Sequence, residues 1–165
     1  MISHLRIEGM AIIDQLSIDF NPGFNVITGE TGAGKSILIR AINFLTGARA
    51  SVDVLRKGAQ QAVVMGEFHA EADHPVVGEL KELGILVEPD DASMVTVLMR
   101  RQLTDKGRSQ GWINDISVTN QTLKRIGVQL IDIFAQHENQ RLMEEAEHLH
   151  YLDLFVLQFH YPDQI

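Results

Sequence analysis

Cysteine is absent from this 165-residue chain. Its absence excludes disulfide bonds, thiol catalysis and metal sites built from thiolates, and it is compatible with a reducing compartment. No apolar run approaches the roughly 20 residues that a membrane-spanning helix needs. The first residues, Met1 to His4, do not begin a basic segment followed by an apolar core, so no signal peptide is visible. We therefore expect a cytoplasmic protein with no membrane partner.

An excess of basic residues is also lacking. Asp and Glu number 22 against 14 Lys and Arg, which gives a formal net charge of −8 at pH 7. This balance excludes the domain-wide basic surface that is typical of DNA-binding domains, so any contact with DNA would have to come from local basic residues. The hydrophobic share of 45% predicts one globular domain with a sizeable core.

One glycine-rich motif is present: Gly29-Glu30-Thr31-Gly32-Ala33-Gly34-Lys35-Ser36. It fits the phosphate-binding loop pattern, in which a glycine and four further residues precede glycine, lysine and serine or threonine. A short β-prone run that ends at Thr28 comes before it, and the apolar spacing predicts a helix over Ile37 to Leu45 after it. Strand, loop and helix in this order are the context that the motif requires.

The residue types of this motif suit a nucleoside triphosphate bound with Mg²⁺. Its glycines let the backbone turn sharply and bring N–H groups close to phosphate oxygens. Lys35 would add a positive charge near the β- and γ-phosphates, and the Ser36 hydroxyl would bind Mg²⁺. Glu30 is not expected to be a catalytic base, because that role needs a carboxylate that faces the γ-phosphate from another strand.

Apolar periodicity and turn residues predict an α/β fold with a mixed sheet. The predicted strands are a pair within Met1–Phe20, a third that leads into the loop, Ala62–His69 through Val63 and Met65, Met94–Leu103, a β-meander continuing through Gln110–Ile113 and Ile116–Val118, and Gln129–Phe134. The predicted helices are Ile37–Leu45 with Ile39 on its apolar face, one that follows His74 and Pro75, one that begins after Thr119 and breaks near Gly127, and Leu142 to about Phe159.

Several segments together resemble the RecN family of SMC-like bacterial ATPases, which act in DNA double-strand-break repair. The resemblance runs from residue 1 to about 155. Its specific parts are the phosphate loop with the strands before it, Gly47-Ala48-Arg49-Ala50, the hairpin Gly107-Arg108-Ser109-Gln110-Gly111-Trp112-Ile113-Asn114, and Ile133-Phe134-Ala135-Gln136-His137-Glu138-Asn139-Gln140.

The resemblance implies the N-terminal half of an ATP-binding-cassette head, with residues 1–156 as that half and 157–165 as an atypical tail. In the family, a C-terminal half supplies the Walker B carboxylates and the signature motif, and two heads enclose ATP and Mg²⁺ between them. By resemblance, Gln136 would reach the Mg²⁺ or the attacking water, beside the catalytic Lys35 and the metal ligand Ser36. A polar loop residue after a strand is the alternative interpretation of Gln136. The family's location is the cytoplasm, in association with the nucleoid.

After the phosphate loop, the chain departs from the family pattern. It has no strand that ends in paired acids, no Leu-Ser-Gly-Gly-like signature and no heptad region. These departures indicate a fragment or a truncated gene product, which would bind ATP weakly and hydrolyse little or none of it by itself. A small phosphate-loop phosphotransferase and a non-catalytic remnant that acts by head association are the two alternatives.

Two local groups of basic residues leave further alternatives open. The first, Arg49, Arg56 and Lys57, would contact phosphate of nucleotide or DNA, or would be a solvated loop. The second consists of Arg100, Arg101, Lys106 and Arg108. Because successive side chains of a strand point to opposite faces, Arg100 and Arg101 are not expected to form one patch.

Overall fold

The computed structural model describes residues 1–28, 34–85, 87–90 and 93–133. The chain divides into two units, Met1–Asp132 and Ile133–Ile165, and the described helices and strands lie in the first. None of the described helices is both long enough and apolar enough to span a membrane.

The helices and strands occur along the chain in the following order: β1 Ile2–Met10, β2 Ile13–Asp19, α1 Gly34–Leu45, a 3₁₀ turn Val52–Val54, β3 Gln61–Glu71, α2 Pro75–Glu82, β4 Met94–Thr104, β5 Ser109–Ile113, β6 Ile116–Val118 and α3 Asn120–Leu130.

The six strands form one sheet in the order β2-β1-β3-β4-β5-β6. Each neighbouring pair is antiparallel, so the predicted hairpin of β1 and β2 and the predicted meander of β4, β5 and β6 are both confirmed. The sequence predicted a mixed sheet, and within the described residues every pairing is antiparallel. Asn114 and Asp115 make the β5–β6 turn with positive φ angles of 44° and 64°, as their residue types predict.

One face of the sheet is apolar and buried, because side chains alternate along each strand. In β4 the predicted alternation is confirmed, since Val95, Val97 and Met99 are buried. In β3 the predicted phase through Val63 and Met65 was wrong: the buried positions are Ala62, Val64, Gly66, Phe68 and Ala70. Both phases of this strand contain apolar residues, so the alternation alone does not choose between them.

Helix α1 packs on this apolar face, at the point where β3 has a glycine. A Cβ atom on Gly66 would lie 2.6 Å from Cδ2 of Leu45, so glycine makes room for the last residue of the helix. The predicted helix is confirmed, but it begins earlier than predicted, at Gly34. Ile39 was expected on the apolar side and is 39% exposed, while Phe44 is buried.

The predicted third strand before the phosphate loop is wrong for residues 24–28. These residues have no regular secondary structure, and Phe24 and Val26 are 93% and 66% exposed. A strand needs a neighbour to satisfy its backbone N–H and C=O groups, and no described strand pairs with this segment. The chain turns at residues 21–25, where the Asn25 side chain donates to the Asn21 carbonyl over 2.7 Å.

Helix α3 was predicted to break near Gly127, and this prediction is wrong. The helix continues to Leu130, so the predicted strand that starts at Gln129 is wrong as well over its first two residues. Gly127 is buried because Thr46 packs directly against it, and a Cβ at this position would lie 2.6 Å from the Thr46 Cβ. The predicted cap is confirmed: Thr119 Oγ1 accepts a hydrogen bond from the Thr122 N–H.

Helix α2 begins where the sequence predicted, at His74 and Pro75. His74 caps its N-terminus by accepting from the Val76 N–H over 3.2 Å, and Pro75 occupies its first position. Gly84 follows its end with a φ of 71°. The helix is tied to α3 by an ion pair between Glu79 and Arg125.

The glycines within α2 and α3 should respond in opposite ways to alanine. Gly78 in α2 is exposed with open space around its Cα, so Gly78→Ala should stabilise the fold by about 0.5–1 kcal/mol through helix propensity. Gly127→Ala gains the same propensity but forces a clash with Thr46, and we expect a net loss of about 1–3 kcal/mol. Urea unfolding of both variants measures the difference; stabilisation by Gly127→Ala would contradict the close packing of α3 on residue 46.

Candidate nucleotide-binding site

The start of α1 contains the last three residues of the predicted phosphate loop. Gly34, Lys35 and Ser36 form the first turn of the helix and are exposed. The first N–H groups of a helix have no intrahelical partner, and together with the helix dipole they make this end attractive to anions. No acidic residue occupies this turn, so nothing within it would repel a phosphate.

Lys35 and Ser36 are available for the roles that the motif predicts. Among the described residues, no carboxylate forms an ion pair with Lys35. A free ammonium group and a hydroxyl on adjacent positions of an open helix start can meet phosphate oxygens and a hydrated cation. The structure thus brings together three of the predicted site residues. Gly29 to Ala33 and Gln136 lie outside the described residues, so their predicted roles remain predictions.

The opposite end of α1 is bonded to a buried arginine, which the sequence placed in the second basic group without predicting this role. Arg101, on β4, is only 1% exposed, and its Nη1 atom donates to the backbone carbonyls of Phe44 over 2.5 Å and Ala48 over 2.6 Å. Its Nε atom donates to Ser109 Oγ over 3.1 Å, and its guanidinium lies 4.5 Å from the centroid of the Phe44 ring. Burial lowers the pKa of Arg101 from its ordinary value.

A signal for this position existed in the sequence. Arg101 continues the buried phase of Val95, Val97 and Met99, so strand periodicity placed a charged group in the core. A buried guanidinium needs several acceptors, and the end of a helix supplies unpaired carbonyls. Identifying which helix end would supply them required the tertiary structure.

The second predicted basic group therefore does not form one surface. The expectation that Arg100 and Arg101 point to opposite faces is confirmed: Arg101 is buried under α1, while the Arg100 guanidinium lies 4.0 Å from the centroid of the Trp112 ring on the other face. Arg101 cannot contact DNA from this position. Lys106 and Arg108 are exposed in the β4–β5 turn.

One member of the first basic group, Arg56, contacts the β1–β2 hairpin. Arg56 Nη1 is 3.3 Å from Asp14 Oδ1, and its backbone N–H donates to the Gly9 carbonyl. Arg49 and Lys57 are exposed. The pairing with Asp14 fits a surface loop and leaves a contact of this group with phosphate as a prediction.

Comparison with known proteins identifies the family of this fold. A family model described as an AAA domain matches residues 4–155, which is most of the chain. The chain belongs to the AAA domain family.

This AAA domain is also similar to curated repair proteins. It is 44% identical to the DNA repair protein RecN of Bacillus subtilis over 156 residues, which is 94% of this chain and 26% of that protein. The chain thus spans about a quarter of the relative that it matches. The resemblance to RecN predicted from the motifs is confirmed, and the phosphotransferase alternative gains no support from it.

Solved structures of SMC and RecF proteins share the predicted fold. One, from work on the structural biochemistry of ATP-driven dimerization and DNA-stimulated activation of SMC ATPases, matches with a TM-score of 0.61 at 23% identity, over 92% of this chain and 97% of the other. Another, the recombination mediator protein RecF with ATP, matches with a TM-score of 0.61 at 16% identity, over 94% of this AAA domain and 37% of that chain. At these identities the likeness shows the fold.

Substitutions in the first turn of α1 should leave stability unchanged. Lys35→Ala and Ser36→Ala each remove an exposed side chain from a helix start, so the free energy of unfolding should change by less than about 0.5 kcal/mol. Removing the Lys35 charge from the positive end of the helix should help slightly. Urea unfolding tests this, and a loss above about 1 kcal/mol would show that these side chains support the fold.

Proposed function

We propose that this AAA domain binds ATP with Mg²⁺ as part of a RecN-like ATPase of DNA double-strand-break repair and recombination. The observation that supports it most is the open N-terminus of α1, where Lys35 and Ser36 are exposed on a turn that carries no acidic residue. The sequence completes this turn into a phosphate-binding loop over Gly29–Ser36. Similarity to RecN over 94% of the chain supports the repair context.

Each residue of the loop has a defined role in this proposal. Glycines 29, 32 and 34 let backbone N–H groups surround the phosphates, with Glu30, Thr31 and Ala33 supplying further N–H groups. Lys35 neutralises charge on the β- and γ-phosphates, and Ser36 binds Mg²⁺. Gln136 would complete the metal site or orient the attacking water.

Hydrolysis would need groups that this chain does not contain. No Walker B carboxylates and no signature motif occur in its sequence, so we expect the C-terminal half of a head, and a second head, to complete the site. The SMC ATPases of similar fold are described as undergoing ATP-driven dimerization. Exposed apolar side chains before the loop, Phe24 and Val26, give this AAA domain a surface that such a partner would cover. We place the protein in the cytoplasm, with DNA reached through local basic residues or through the partner.

Binding of a fluorescent ATP analogue with Mg²⁺ tests the proposal. Lys35→Ala should weaken binding at least tenfold, which corresponds to about 1.4 kcal/mol. Lys81→Ala is the matched control, because it removes another exposed lysine, from the last turn of α2. Equal affinity of the wild type and Lys35→Ala would contradict nucleotide binding at this loop.

Phosphate release distinguishes a partial site from a complete one. We expect the wild-type chain to bind ATP without releasing phosphate, because the carboxylates that would activate water are missing. Release that disappears in Lys35→Ala would mean instead that a complete active site lies within these 165 residues. That result would favour the phosphotransferase-like alternative.

A further inference from the structure

Arg101 is the buried charged residue among the described residues, and its partners are not carboxylates. It bonds to two backbone carbonyls and one hydroxyl, those of Phe44, Ala48 and Ser109. Arginine remains protonated at neutral pH, so these acceptors stabilise a full positive charge in the core. A buried charge is costly unless it is hydrogen-bonded, so these three bonds offset the burial of Arg101.

Two of the three partners of Arg101 are backbone carbonyls at the C-terminal end of α1 or just after it. Phe44 is the penultimate residue of the helix, and Ala48 lies three residues beyond its end. Carbonyls in the last turn lack intrahelical partners and form the negative end of the helix dipole. A desolvated cation at this end therefore fixes α1 to β4, and the bond from Nε to Ser109 extends the connection to β5.

A second attachment, to α3, holds the same end of α1. Gly47, with a φ of 89°, lies so close to α3 that a Cβ atom would be 2.6 Å from the Asn120 carbonyl oxygen. Thr46 packs equally closely on Gly127. The C-terminus of α1 is thus held by both the sheet and α3, whereas its first turn is exposed.

Distance decides how Arg101 could affect the first turn. At about 1.5 Å per residue, the 12 residues of α1 span roughly 18 Å. Coulomb interactions weaken with distance and with the water around the exposed first turn, so the charge of Arg101 has little direct effect on a phosphate there. A tilt of the helix acts differently, because about 3° around the clamped end moves the first turn by roughly 1 Å. Misplacement of that size can lower the rate of a well-oriented reaction about a hundredfold, and we expect binding at the first turn to be weakened for the same geometric reason.

We propose that Arg101 is a positioning residue for the phosphate-binding end of α1. By bonding the Phe44 and Ala48 carbonyls to β4 and β5, it sets the direction in which the helix presents Lys35 and Ser36. The consequence for ATP affinity rests on the proposed function. The consequence for helix direction does not.

The test compares Arg101→Lys and Arg101→Met with Arg100→Met. The control removes the same side chain from the adjacent position of β4, where it contacts Trp112 on the opposite face of the sheet. Lysine retains the charge but cannot make all three bonds, and Ser109→Ala removes only the bond from Nε. These milder variants keep the test decisive if Arg101→Met does not fold.

The first readout is helix direction in the nucleotide-free protein. Backbone N–H residual dipolar couplings report the orientation of α1 relative to the sheet. In Arg101→Lys, the alignment tensor fitted to the sheet should no longer reproduce the couplings of α1. We expect the helix to be rotated by several degrees relative to the sheet. In Arg100→Met, one alignment tensor should reproduce the couplings of both the sheet and α1, as in the wild type. An unchanged direction of α1 in folded Arg101 variants would overturn the proposal, even if their melting temperature falls.

The second readout is ATP affinity, measured well below the melting temperature of each variant. We expect a loss of at least tenfold in Arg101→Lys, a smaller loss in Ser109→Ala, and a change within twofold in Arg100→Met. Unchanged affinity in a folded Arg101→Lys would reduce Arg101 to a core contact and overturn the proposal. Failure of the wild type itself to bind ATP would reject the proposed function, and the dipolar couplings would still decide the role of Arg101.

Discussion

The close packing at the C-terminal end of α1 is the constraint on which this fold depends. Three elements approach the same few residues: β3 through Gly66, α3 through Gly127, and β4 through the buried guanidinium of Arg101. Each contact requires a specific side chain or the absence of one. Because protein interiors are close-packed, a substitution at any of these contacts should displace the helix.

This arrangement separates the part of α1 that is held from the part that is available. Its C-terminal half is buried through Phe44 and Leu45, and its first turn presents Lys35 and Ser36 to solvent. A helix start offers N–H groups and the positive end of a dipole only if it stays uncovered. The antiparallel sheet therefore serves as a base for the helix and leaves open the end where the phosphate-binding loop is predicted.

Much of this could be predicted from local sequence. The β4–β6 meander follows from alternating apolar residues and from the turn at Asn114 and Asp115, and the N-terminal caps of α2 and α3 follow from His74 and Thr119. Two of the errors share one cause. Gly127 was interpreted as a helix breaker from its propensity, and β3 was assigned the wrong phase from its apolar residues. In both cases the deciding contact, with Thr46 or with Leu45, comes from a residue distant in sequence.

The sequence by itself determined the chemistry of the candidate site, because the spacing of glycines, Lys35 and Ser36 fits phosphate without reference to the rest of the chain. It also determined most strands and helices, since these depend on neighbours within a few residues. Only the tertiary structure decided which side of β3 is buried, that residues 24–28 do not form a strand, and that Arg101 holds α1 rather than facing DNA. The physical reason is that burial, strand pairing and the acceptors of a buried charge are set by residues that the fold alone brings together.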